Sequence, residues 1–134
     1  MIKNKISKED AISLISLCAI QVDEHIKTVE LEKLVHMISL SPLFKNVKNP
    51  IEYLSTLNST FFGNEVGVIM DNAIEALPQA LRETAYAWAC EIVMADSEIS
   101  QEEHTYLNLL VKKMNIPGEL ARKISSVVSI LNRK

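Results

Sequence analysis

An all-α fold of about seven helices is what this sequence predicts, and three observations carry that prediction. The chain of 134 residues holds only three glycines and four prolines, too few turn-formers for a many-stranded sheet. Apolar residues recur at steps of three and four along most of its length, which is the period of a helix. The pattern also repeats: a shift of 73 residues sets Asp23 on Asp96, Ile26 on Ile99, Glu30 on Glu103 and Leu34 on Leu107. The same shift sets Ile12, Ile15, Ala19 and Val22 on Ala85, Trp88, Ile92 and Ala95. Two helix-turn-helix units are implied, one near each end. Neither buries a core alone, so they are expected to pack together about a pseudo-twofold axis, with a two-helix bridge between them.

The first helix starts at Ser7, which forms a capping-box-like pair with Asp10, and runs to about Val22. Ile12, Ile15, Ala19 and Val22 make its stripe, and Leu14, Cys18 and Ile20 widen it to the girth of a central helix. A turn over Asp23 to Lys27 leads to a second helix, about Thr28 to Leu40. Here Leu31, Leu34, Val35 and Ile38 are expected inward and Glu30, Glu32 and Lys33 outward; Ser41-Pro42 ends it.

After a polar link, Asn49-Pro50-Ile51-Glu52 supplies a cap, a first-turn proline and an acid three residues on, a strong start for a third helix ending near Gly63. Asn64 is placed to cap a fourth, to about Leu77, weakened by Gly67. Pro78 opens a fifth through Leu81, Ala85, Trp88, Ala89, Ile92 and Ala95. A turn at Asp96 to Ile99 leads to a sixth, starting at Ser100 with Glu103 completing a capping box. Asn115 closes it, and Pro117 begins a seventh with Leu120, Ile124, Val127, Val128 and Leu131 on one side. One domain is expected over residues 1–134. Its parts are repeat unit one at about 7–44, the bridge at about 45–77 and repeat unit two at about 78–132.

A hydrophobic content of 48% excludes a disordered tail, and a net charge of −3 without any run of basic residues excludes a nucleic-acid binder. The uncharged stretch from Ala11 to Val22 is too short to span a bilayer, and Glu9 and Asp10 stand where a secretory signal would not place acids. The expectation is a cytoplasmic protein with no direct membrane insertion. Cys18 and Cys90 lie in apolar helical patterns without C-x-x-C spacing and read as reduced core thiols. No nucleophile elbow, phosphate loop or patterned Cys/His pair is present, so the chain does not read as an enzyme.

The repeated bend places an Asp just past one helix and a Glu seven residues later: Asp23 to Glu30, and Asp96 to Glu103. Acids beside a helix C-terminus oppose the dipole, so the bend needs either a cation or turn amide groups as compensation. The plainer reading wires these carboxylates into helix caps. The sharper one makes a metal site of Asp23, Glu30, Asp96, Glu98, Glu102 and Glu103, an oxygen-rich set suited to calcium, magnesium or manganese. An EF-hand register with Ile99 at the apolar position fails, because Ile92, Met94 and Ser97 fall on ligand or glycine positions. His25, His36 and His104 match no zinc spacing and read as ordinary polar residues.

The run Ala76-Leu77-Pro78-Gln79-Ala80-Leu81-Arg82-Glu83-Thr84-Ala85, followed by Ala95-Asp96-Ser97-Glu98-Ile99-Ser100-Gln101-Glu102-Glu103, resembles the TerB, tellurite-resistance family. The Val22 to Glu30 bend and Ser41-Pro42-Leu43-Phe44 are similar to that family's first half, so the resemblance covers nearly the whole chain. Ser97 and Glu24 stand where the family often has glycine, and Val22 replaces its first alanine. The resemblance implies an all-helical, non-enzymatic module of tellurite and chemical stress responses with acidic clusters at its two bends. Those clusters would bind a divalent cation or a basic protein partner, often within membrane-associated assemblies. The alternatives are a metal sensor whose ligation couples the bends and, weaker, an oxyanion-handling enzyme using Cys18 or Cys90.

Overall fold

A computed structural model of the chain describes residues 6–22, 28–95 and 99–133. Among them run seven α-helices and no strand: α1 (Lys8–Gln21), α2 (Thr28–Leu40), α3 (Pro50–Phe61), α4 (Val66–Glu75), α5 (Gln79–Val93), α6 (Gln101–Lys113) and α7 (Gly118–Leu131). A single 3-10 turn, Pro42–Phe44, follows α2.

The starts obey local chemistry. Ser7 Oγ accepts the Asp10 N–H at 3.1 Å, Asn49 Oδ1 accepts the Glu52 N–H at 3.1 Å, and Ser100 Oγ accepts the Glu103 N–H at 3.1 Å. Each satisfies one amide that the first turn leaves without a helical partner. The end of α6 is equally defined. Asn115 takes a left-handed φ of 55°, the Ile116 N–H reaches the Val111 carbonyl and the Asn115 N–H reaches that of Lys112. That is a Schellman stop with asparagine in the usual glycine place. α4 departs from expectation: its N-cap is Glu65, with no side-chain cap bond, while Asn64 Nδ2 donates back to the Phe61 carbonyl.

The core is built around α1, where every residue from Ala11 to Ile20 is buried. α1 packs most extensively on α5 and α4, and also touches α2, α3 and α6. Full burial of Ile12, Leu14 and Ile15 contributes about 1.5–3 kcal/mol apiece relative to exposure. The duplicated pattern is visible in the element bounds, because α2 and α6 differ by 73 positions at both ends. It is visible in the packing too. α1 meets α2 and α3 as α5 meets α6 and α7, while the cross pairs α1 with α6 and α2 with α5 close the bundle. The two helices of the expected bridge differ in use: α3 packs on α1 and α2, whereas α4 lies along α1.

Side chains fasten these layers. Phe44 enters the core from the 3-10 turn, its ring 5.2 Å from that of Trp88 on α5 and 6.2 Å, edge-on, from that of Tyr53 on α3. The Tyr53 phenol donates to Asp10 Oδ1 at 2.6 Å, joining α3 to the first turn of α1. The Tyr106 phenol donates to the Ile15 carbonyl at 2.8 Å, joining α6 to the middle of α1.

Two helix faces are turned from the expected direction. On α2 the buried stripe is Glu30, Leu34 and Ile38, and Leu31 is 38% exposed. Steps of four put the glutamate on the stripe, and leucine one residue later points about 100° away. On α7, Ala121 and Val128 are buried, but Val127 and Leu131 are 55% and 69% exposed. Leu120 and Ile124 still pack, partly buried, against the core, so the expected stripe is kept in part while Val127 and Leu131 emerge from it. No helix among the described residues is long and apolar enough to cross a membrane.

Candidate functional site

Of the six acids expected at the bends, Asp23, Asp96 and Glu98 lie outside the described residues, as does His25. The remaining three separate. Glu102 is exposed, whereas Glu103, the next residue of α6, is wholly buried. Consecutive helical residues diverge by about 100°, so one carboxylate faces solvent while the other faces the core. Glu103 Oε1 accepts the Ser100 N–H at 3.0 Å, the second half of the capping box. Glu30 is buried at 1% exposure at the start of α2. Among the described residues no three His, Cys, Asp or Glu side chains come together in a way that could hold a metal ion. Calcium would need six or more oxygen ligands, and Glu30, Glu102 and Glu103 alone do not fit that demand.

Both cysteines are free and buried. Burial pushes the Cys18 thiol up to about 12, partly offset by its hydrogen bond with Tyr106. Burial likewise pushes Cys90 up to about 11, with Tyr86 as its hydrogen-bond partner. At neutral pH neither carries appreciable thiolate, the form that attacks or ligates. His36 and His104 are exposed helix residues.

What the packing creates instead is a pair of grooves in equivalent positions. The first, about 710 Å³, runs between α1, α2 and α3. Leu17, Ile20 and Leu54, all nearly buried, form its floor, and Leu31, Val35 and Ile51 form its walls. Ile51 is 70% exposed. Among the described residues Glu32 is the only acid or base of fixed charge along it, with His36 nearby on the same helix. One end is pinned by Gln21, whose Nε2 donates to Asn58 Oδ1 at 3.0 Å. The second groove, about 640 Å³, lies between α5, α6 and α7 and is lined by polar residues as much as apolar ones.

Sequence reasoning passed over these linings. Leu31 fits an amphipathic pattern and reads as core, Ile51 reads only as part of a helix start, His36 carries no role, and only the register of α2, with Glu30 inward, signals that Leu31 must emerge. Compared with known proteins, the chain matches no family model, no curated protein and no solved structure.

Proposed function

We propose that this chain is a non-enzymatic interaction module that receives a basic, amphipathic helix of a protein partner in the groove between α1, α2 and α3. The observation that carries the reading is the groove itself, an apolar channel walled by the outward residues Leu31 and Ile51 and bearing the acid Glu32. Exposed apolar surface gathered in one concavity is the usual mark of a partner site, and a helix lying in such a groove buries one face while its flanking lysines meet the acid. The TerB resemblance supplies the setting within this proposal: a cytoplasmic component of tellurite or chemical stress responses, acting through protein partners and membrane-associated assemblies.

Titration of the full chain with a labelled amphipathic peptide, leucines at helical spacing and lysines along both edges, tests this by amide chemical shifts. Saturable shifts at Leu31, Val35 and Ile51, lost in Leu31→Glu and Ile51→Glu, are expected. Shifts that stay linear, or that survive both substitutions, overturn the reading.

A divalent cation at the bends is the second reading, and it rests on Asp23, Asp96 and Glu98 together with exposed Glu102. Calcium, magnesium and manganese added to the full chain separate it from the first. Saturable submillimolar shifts around residues 23 and 96 support a cation-binding or sensor role, and their absence removes it. Oxyanion chemistry through Cys18 or Cys90 has least in its favour, because both thiols are held neutral and enclosed.

A further inference from the structure

The groove between α5, α6 and α7 is the counterpart of the partner groove, yet its chemistry is opposite. Its only charged lining residues among those described are Arg122 and Arg133, in a chain whose net charge is −3. Neither guanidinium forms an ion pair or hydrogen bond with a described residue. Between them α7 presents Ser125, Ser126 and Ser129, whose hydroxyls likewise bond to no described residue. Five side chains whose donors engage no described residue therefore line one wall, and among the described residues no acid lines the groove.

Their spacing selects the ligand. Arg122 Nη1 lies 3.6 Å from where a Cβ on Gly118 would stand, so this guanidinium folds back over the first turn of α7. Arg133 follows the helix at its other end. Helical rise carries the chain about 14 Å from Arg122 to the end of α7 at Leu131. Arg133 lies two residues beyond, roughly 16 Å away in all, and Arg122 folds back from that end, so one phosphate or carboxylate does not engage both. That distance equals about five residues of extended chain. Met94, Val111 and Ile130 offer apolar contacts along the way. A single strand of nucleic acid would need stacking platforms, and the one aromatic lining residue, Tyr86, is only 5% exposed.

We infer that this groove binds an extended acidic segment of a partner protein. Two acidic side chains about five residues apart reach Arg122 and Arg133, and the apolar residues between them lie on Met94, Val111 and Ile130. The inference stands on the second groove alone and survives failure of the reading given for the first.

Fluorescence anisotropy of the full chain tests it with a fluorescein-labelled hexapeptide, aspartate at its first and last positions and leucine and serine between. Saturable submillimolar binding is expected, weakened about fivefold by Arg122→Gln or Arg133→Gln and about twenty-five-fold by both. Lys123→Gln makes the same charge change on α7, but Lys123 faces Glu119 at 3.5 Å and does not line the groove, so affinity stays within twofold. All of these are surface positions and circular dichroism verifies that each variant folds. The inference is overturned by an absence of saturation below about 1 mM or by an equal loss in Lys123→Gln. Tighter binding of a labelled ten-residue oligothymidylate, or inorganic phosphate competing as well as the peptide, overturns it too.

Discussion

Glu30 and Glu103 occupy the same place in the two halves of the molecule: each is the third residue of the second helix of its hairpin, and each is buried, at 1% and 0% exposure. A carboxylate carried inward twice at one structural position belongs to the way these hairpins are put together. For Glu103 the local role is explicit, since its oxygen holds the Ser100 amide at the mouth of α6.

Removing that cap has a graded cost. Ser100→Ala is expected to lower stability by about 1 kcal/mol. Glu103→Ala, which also empties a packed site, is expected to cost about 2–3 kcal/mol, and Glu103→Gln, whose amide oxygen can still accept the Ser100 N–H, clearly less. Urea unfolding followed by circular dichroism ranks the three. A glutamine variant as damaged as the alanine one would show that charge, rather than capping, governs the site.

Tyr106→Phe deletes one oxygen and the bond it donates to the Ile15 carbonyl across the centre of the bundle. A loss of about 1–2 kcal/mol is expected, with the helical spectrum unchanged. Because the same phenol bonds Cys18, the variant should also expose that thiol more often. Slow alkylation rates measured for wild type and variant under native conditions compare the two.

Gly67 sits in the first turn of α4, and a Cβ there would meet nothing within 4 Å. Gly67→Ala is therefore expected to stabilise the protein by about 0.5 kcal/mol, chiefly by narrowing the unfolded ensemble. Thermal melts detect this as a rise in Tm; a fall would mean that α4 needs the glycine's backbone freedom.

Alkaline pH should unfold the protein earlier than its helices alone would. Cys18 and Cys90 are raised from 9.0 to about 12 and about 11, so above pH 9.0 the unfolded chain releases protons that the native state retains. Stability is full below pH 9.0 and falls between there and about 11–12, by about 1.4 kcal/mol per pH unit for each thiol that differs. Tyr53, Tyr86 and Tyr106, also raised by burial, add to the loss above their ordinary value of 10.0. Urea midpoints from pH 8 to pH 11 trace the curve, and Cys18→Ala together with Cys90→Ala should flatten its first part.

The fold was legible where a single residue decides a local outcome. Ser7, Asn49 and Ser100 announce helix starts, Asn115 and Pro117 mark a stop and a restart, and the repeat of 73 residues foretells that α2 and α6 share their bounds. What could not be read depends on rotation of a helix about its axis. Glu30 occupies the inner line of α2 against its polarity. Val127 and Leu131 are apolar yet outward, while Ala121 and Val128 of the same helix are buried. The grooves are harder still, because a concavity is the space that three helices leave between them and no one segment encodes it. Of the acids singled out at the bends, the sequence located Glu103 at its cap but gave no sign that it would be wholly enclosed.

The all-round apolar surface of α1 has a consequence during synthesis. Its last residue, Gln21, precedes the end of α5, Val93, by 72 positions, which translation at common speeds covers in roughly 4–14 s. For that interval the side of this greasy rod that α5 will sheathe stays bare, even where α2, α3 and α4 already cover the rest, a client for holding chaperones. A chain halted before Gln79 would stay in that condition, so premature termination should yield aggregates instead of a half-sized domain.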